Sequence, residues 1–373
     1  MRINNVLYLL RADLESLPPS MSQILTLCQQ GCRVTIVSMN ASEYIRDFFK
    51  NQEVEFVTLE HPPAGRKNIA DKVRCLLQYR KLVKRAIETI QYDLLWIGSA
   101  DTARYCKDIL SSVPPPTVLN IYELYDKAPK VLDAIKTIAQ NAQVVVVPEY
   151  NRAHILKVWL ELKKTPVVIP NKPCFREVEI LPETQKIVDD LKQLDKKIVL
   201  YQGWIGRDRD VSQIARALQQ LDCHNKYALV LLGTATAPDT INVLQSVFPT
   251  TVHIPFLLPP QHLFITECAH MGIATYDDSS LNNIFCAPNK IYEYAEKSVP
   301  ILARDIPGLA TTVGKFNAGV CVDMSDVDAV AAAIKEIDAH HETYVAALGD
   351  FMNEHSVERS ISKILQTCEE TMN

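Results

Sequence analysis

SSLNNIFCAPNKIYEYAEKSVPIL, residues 279 to 302, packs a polar loop, a helix start and a buried strand into one short span. Pro288 fixes φ just where Asn289 is placed to cap a helix. The residues IYEYAEK then carry an amphipathic helical spacing that is expected to stop before Pro300. The next strand is ILA, followed by the turn signal of Asp305, Pro307 and Gly308. Lys290 is unusual in a first helical turn, because the helix dipole already makes that end electropositive and favours anions. A cation there makes sense when an external anion is present. Glu293, three residues on, shares the same helical face. The pair has two readings: an exposed ion pair worth about 0.2–0.5 kcal/mol, or a clamp. In the second, amides and an ammonium meet a phosphate while the carboxylate meets sugar hydroxyls.

The run from Pro288 to Leu309, PNKIYEYAEKSVPILARDIPGL, resembles the donor-binding segment of the GT-B glycosyltransferases, in particular glycosyltransferase family 4. The pattern of that family reads roughly P-x-K-x-x-E-Y, a small-residue helix, then P-V-I-A-x-D-x-P-G. The resemblance implies an α/β GT-B fold, in which two Rossmann-like parallel-sheet domains face each other across a cleft.

The 373 residues are enough for two domains of ordinary size. With 47% hydrophobic and 22% charged residues, the chain has the composition of a globular protein. A net charge of −5 offers no global attraction to nucleic acid or membrane, so such a partner needs a local patch. NNVLYLL near the start reads as a strand and not as a secretory leader, and no apolar run is long enough to span a bilayer. The ten cysteines are scattered without CxxC or histidine clustering and read as reduced thiols of a cytoplasmic protein. Cys286, inside the opening stretch, reads as a packing residue.

Short apolar strands alternate with helical segments nearly throughout, the pattern of parallel sheets with helices on both faces. Seven strands are expected in the first half, beginning VLYLL (6–10), RVTIVSM (33–39) and VEFVTL (54–59) and ending with PVVIP (166–170). Six more run from IVLYQG (198–203) to GVCVD (319–323). The polar, proline-bearing segment 171–196 breaks the rhythm. The expected division is a domain over 1–175, a nucleotide-sugar domain over 176–355, and a helix over 356–373 that the resemblance sends back to the first domain. The first strand lacks GxGxxG, which disfavours a dinucleotide-binding dehydrogenase.

A second resemblance to the family lies at YQGWIGRDRDVSQIARAL, 201–218. Physically it is a strand ending in two glycines, Gly203 and Gly206, that let amides approach a phosphate, with Arg209 placed to fork onto its oxygens and Arg207 a weaker candidate. The family sets its nucleobase against the loop after the third strand, here Phe256, Leu257 and Leu258. That apolar loop, closed by Pro259 and Pro260, suits base stacking and core filling equally. Where relatives carry D-x-H-E-L-Y, this chain has Asn120 to Tyr125, so Tyr122 replaces the histidine and Glu123 follows it on the acceptor side. Eight positions before Glu293 stands Phe285 in place of a glutamate. A branch of the family with L-N-x-x-x-x-x-P-N-K-[LI]-x-E-Y matches Leu281, Asn282, Pro288, Asn289, Lys290, Glu293 and Tyr294, and there Asn282 or Asn283 holds sugar hydroxyls.

Residues 65–90 carry eight Lys or Arg against two acids. Val73, Leu76, Leu77, Val83, Ile87 and Ile90 read as one apolar stripe, with Arg74, Arg80, Lys81, Lys84 and Arg85 largely outside it. This is either a sheet-packing helix with a solvated basic face or a contact with anionic phospholipid or a lipid-diphosphate acceptor. Asp277 and Asp278 read as loop residues without a third metal ligand. The resemblance implies a metal-independent, retaining transfer of a sugar from a nucleoside-diphosphate donor to a glycan or lipid-linked acceptor in surface polysaccharide or glycoconjugate synthesis. The resemblance adds the inner face of the membrane as the place where the cytoplasmic protein is expected to meet its acceptor, and the net charge gives no reason to expect a nucleic-acid partner. Arg209 and Lys290 would stabilise the leaving phosphates and Glu293 would hold the ribose. Tyr122 and Phe285 keep open a non-catalytic binding or scaffold subunit, and an epimerase of the same fold is a third reading.

Overall fold

Val144–Val147, four consecutive buried valines, shows why the inner strands in this chain are largely apolar: helices cover both faces of the sheet they enter. A computed structural model describes residues 2–59, 68–114, 116–176, 178–206, 209–221, 225–237 and 239–372. Among these, the strands are β1 (Asn5–Leu10), β2 (Arg33–Ser38), β3 (Val54–Val57), β4 (Leu94–Ile97), β5 (Thr117–Asn120), β6 (Val144–Val147) and β7 (Val167–Val168). They continue as β8 (Lys197–Gln202), β9 (Tyr227–Leu232), β10 (Thr251–Ile254), β11 (Met271–Ala274), β12 (Ile301–Arg304) and β13 (Gly319–Val322). Every strand expected from the sequence forms. Each lies within two residues of its expected bounds, and β3 and β7 are edge strands.

The chain divides into two units, Met1–Cys174 with Ser356–Asn373, and Phe175–His355. The first holds one sheet in the order β3-β2-β1-β4-β5-β6-β7 and the second a sheet in the order β10-β9-β8-β11-β12-β13, every pairing parallel. Each is a doubly wound Rossmann-like sheet. The helix Val357–Thr371, capped by Ser356, packs against the helix Pro18–Gln29 of the first unit. It places Val357, Ile361, Ile364, Leu365 and Cys368 in the same core as Val6, Tyr8, Ile24, Val34 and Trp96. Burying five such side chains at about 1.5–3 kcal/mol for each large aliphatic makes this helix a structural part of that unit.

The helix Ile69–Thr89 differs from the stripe expected of it. Its buried side is Cys75, Tyr79, Val83 and Ala86, whereas Val73 and Leu77 stand 50% and 53% exposed and Ile69 80%. Tyr79, large and placed between Cys75 and Val83, turns the packing face away from the Val73 row. Arg80 also leaves the basic face, its guanidinium donating to the Tyr105 carbonyl and to Asp108. Residues 65–67 of the basic segment lie outside the described residues. Among the described residues, no helix is long and apolar enough to cross a membrane.

Candidate functional site

In the second sheet, β8 and β11 lie side by side, yet the chain proceeds from β8 outward to β9 and β10 and from β11 outward to β12 and β13. The carboxyl ends of β8 and β11 therefore flank a topological switch point, where open α/β sheets bind ligands. Under it, Tyr294 is fully buried with its hydroxyl 3.2 Å from the Leu200 carbonyl and 3.1 Å from that of Ile273. Gly272 makes room for this ring, since a Cβ there would come within 2.5 Å of it. The helix Lys290–Glu296 is thereby pinned across the two central strands, with Lys290 and Glu293 carried to their ends.

β8 runs into Gly203 at φ +122°, and β9 into Gly233 at φ +141°. A Cβ at Gly233 would fall 2.0 Å from the Gly203 carbonyl oxygen, so the two strand ends touch backbone to backbone. At Gly203 a Cβ would lie 3.3 Å from Lys290 Nζ, and its absence leaves the ammonium room beside bare main chain.

Lys290 is only 8% exposed. Its Nζ lies 4.2 Å from the centroid of the Tyr201 ring and 5.6 Å from that of Tyr276. Arg209 joins it, with Cζ 5.2 Å from the centroid of the same Tyr276 ring. Two cations some eighty residues apart in sequence thus meet on one aromatic side chain at the switch point. The π faces take up part of the charge that was expected to call for an external anion. The helix dipole contributes less than expected, because the helix Lys290–Glu296 has seven residues and Asn289, at φ −61° and ψ −36°, makes no side-chain capping bond. Asn289 is already in helical geometry, which carries its side chain out of capping position.

Glu293 is held from two sides. Gln202 Nε2 donates to its Oε2, and Thr266 Oγ1 in turn donates to Gln202 Oε1 at 2.9 Å. His262 Nε2 lies 3.4 Å from the other oxygen, Oε1. Burial works against the charge on Glu293, but His262, Gln202 and Lys290 outweigh it and hold the carboxyl below its ordinary pKa. Gln202, His262, Thr266, Tyr276 and Gly233 were not expected as site residues. The only signals in the sequence were positional: Gln202, Tyr276 and Gly233 sit at strand ends, while nothing marks His262 or Thr266.

The other candidates are placed as follows. Gly206 accepts from Arg209 N at 3.1 Å, forming the turn that brings the arginine back. Asn283 donates to Asp277 Oδ1, which ties it to the loop, and Asn282 precedes it in the same short helix, Leu281–Ile284. Asp277 also accepts from Ser279 within the loop, and Asp278 pairs at 3.3 Å with Arg304 at the end of β12. Phe256 and Leu258 are 62% and 69% exposed, whereas Leu257 packs against the core. The loop after β10 therefore combines the two readings, one side chain filling and two open. In the first unit Tyr122 is buried, its hydroxyl 2.8 Å from Ser20 Oγ, and burial pushes its pKa up to about 12. Glu123 beside it is about half exposed and lies 3.5 Å from Arg152. Cys286 is buried, and the nine described cysteines form no disulfide with one another; Arg207 and Cys223 lie outside the described residues.

No family model matches this sequence, and no curated protein matches it. Solved structures do match in fold. A glycosyltransferase from Rickettsia africae superposes at TM-score 0.69 with 15% identity, covering 99% of both chains. Anabaena HepE in complex with UDP-glucose gives 0.67 at 14% identity, again over 99% of each. Sucrose-phosphate synthase from Thermosynechococcus elongatus gives 0.64 at 15% identity, over 98% of this chain and 94% of the other. The two parallel Rossmann-like sheets are thus those of the GT-B glycosyltransferase fold.

Proposed function

We propose that the protein is a retaining glycosyltransferase that moves a sugar from a nucleoside-diphosphate donor to a glycan or lipid-linked acceptor in glycoconjugate synthesis. The observation that carries this reading is the meeting of Arg209 and Lys290 on Tyr276 at the switch point, beside the bare backbone of Gly203. Breaking the anomeric bond leaves negative charge on the departing diphosphate, and two cations fixed in place before the reaction stabilise it without reorganising. Glu293 accepts from the ribose hydroxyls, the exposed Phe256 meets the base, and Asn282 holds the sugar. That UDP and UDP-glucose occupy structures of the same fold supports a donor of this chemical class.

The acceptor side rests on the half-exposed Glu123. The helix Ile69–Thr89 supplies a peripheral contact with anionic membrane, with its exposed Ile69, Val73 and Leu77 beside the exposed Lys72, Arg74, Lys81, Lys84 and Arg85. A thermal-shift panel of nucleoside diphosphates and nucleotide-sugars identifies the donor, since a ligand at a hundred times its Kd stabilises by about 2.7 kcal/mol. With the donor known, Arg209→Ala lowers transfer by about a hundredfold or more. Near-normal transfer by that variant overturns the assignment.

The buried Tyr122, where relatives carry histidine, favours a second reading: a subunit that binds nucleotide-sugar without turning it over. Such a subunit shows a thermal shift with donor but releases no diphosphate over hours. An epimerase converts the donor with no acceptor present.

A further inference from the structure

A carboxylate that reads two neighbouring hydroxyls must be fixed in rotation, because a few tens of degrees about its last bond breaks the second contact. Glu293 shows how such fixing is built. Its side chain is 14% exposed, with Oε2 held by Gln202 and Oε1 facing His262 at 3.4 Å. Gln202 is itself 4% exposed and accepts from the fully buried Thr266, whose hydroxyl also lies 3.2 Å from the His262 carbonyl, so the amide is restrained at both its atoms. The His262 Nδ1 is buried and makes no hydrogen bond among the described residues, which leaves its Nε2 to orient the ring toward Glu293. A carboxylate has about four lone-pair sites. Gln202 takes one site on Oε2 and His262 faces one on Oε1, which leaves a lone pair on each oxygen for a ligand.

We propose that Gln202 and His262 are positioning residues for Glu293, and that through it they set a preference for ribonucleoside over 2′-deoxyribonucleoside diphosphates. This rests on the reading that Glu293 meets the ribose. Neither residue touches the ligand. Gln202, with Thr266 behind it, sets the plane of the carboxylate, and His262 with nearby Lys290 keeps it charged, so that it accepts from the 2′- and 3′-hydroxyls together. A ligand lacking the 2′-hydroxyl loses a hydrogen bond to a charged acceptor, which corresponds to roughly tenfold or more in Kd.

The test is calorimetry with UDP, GDP and ADP, each against its 2′-deoxy counterpart, and with inorganic pyrophosphate as the ligand that does not use Glu293. The wild-type protein is expected to prefer the ribose form of its nucleotide by about tenfold or more. Gln202→Met and His262→Leu should bring that ratio below about threefold while pyrophosphate affinity stays within about twofold, and His262→Gln, which keeps a donor, should restore it. Should Glu293→Ala abolish the preference while Gln202→Met and His262→Leu keep it, the positioning role is wrong and the ribose reading stands. A wild-type protein indifferent to the 2′-hydroxyl overturns the ribose reading and this inference with it, as does failure of every nucleotide to bind. Loss of pyrophosphate affinity in step with the ribose preference identifies a general structural lesion and also overturns the proposal.

Discussion

Replacing Lys290 with methionine separates what the ammonium does for the fold from what it does for a ligand. The side chain is 8% exposed and lies on two tyrosine rings at 4.2 and 5.6 Å. Methionine keeps the length and the apolar stem, so packing is nearly conserved. What is lost is the cation–π attraction, about 2 kcal/mol for a desolvated cation, and some electrostatic support for the Glu293 carboxylate. What is regained is the hydration penalty of a buried ammonium, several kcal/mol in effective terms. The two nearly cancel, and the expected net change in stability is within about 1 kcal/mol of zero, a shift of about 2–4 °C in Tm for a unit of this size. Binding has no such compensation. An ammonium–phosphate contact is a charge-assisted hydrogen bond, and its loss weakens diphosphate affinity by about 10- to 100-fold. Differential scanning fluorimetry and titration calorimetry with pyrophosphate read the two quantities on one preparation. An unchanged pyrophosphate Kd, or a Tm lowered by more than about 8 °C, refutes the argument, the first by removing the anion and the second by making Lys290 a structural residue.

Gly233→Ala is expected to cost about 3 kcal/mol in urea unfolding, because its Cβ meets the Gly203 carbonyl at 2.0 Å and its φ is +141°. Gly349→Ala, in the helix His341–Glu354 with nothing near its Cβ, should instead gain about 0.5–1 kcal/mol, and equal effects at the two sites would refute the contrast. Burial, followed by the stacked His341 and by Lys197, lowers the pKa of His270 from 6.5 to about 4 against the pull of Asp338. Between those two values the unfolded chain holds a proton that the folded one lacks, so stability rises with pH across that window, by up to about 3 kcal/mol. His270→Asn should flatten that slope in urea melts at pH 4.5 and pH 7, and an unchanged slope sinks the assignment. Val73→Asp with Leu77→Asp, both on exposed positions, should leave Tm within about 2 °C while releasing the protein from anionic vesicles but not altering its behaviour toward neutral ones. Equal sedimentation of variant and wild type with anionic vesicles removes the membrane contact.

The strands and their parallel sheets were legible because buried parallel strands leave continuous apolar runs, as at Val144–Val147, and Pro288 and Pro300 bracket a helix whatever its neighbours do. The Arg209 and Lys290 pair was legible only through the shared spacing of two motifs. Their meeting on Tyr276 depends on how two loops leave a twisted sheet, which no local pattern encodes. His262 and Thr266 were illegible for the same reason: they lie on a five-residue helix whose polar residues look like those of any loop. The face of the helix Ile69–Thr89 was misjudged because apolar residues occur on both sides of it. A large residue outside the counted stripe, Tyr79, decides which side turns inward.

The helix Val357–Thr371 belongs to a core whose other members all precede Cys174. During synthesis the early half of the chain must therefore wait, its hydrophobic interior open along one side, while the whole of Phe175–His355 emerges and has the means to finish folding first. A ribosome stalled anywhere in that interval leaves an early half unable to close. Premature termination shortly before Val357 is accordingly expected to give a product with one sound lobe and one that invites chaperones and proteases.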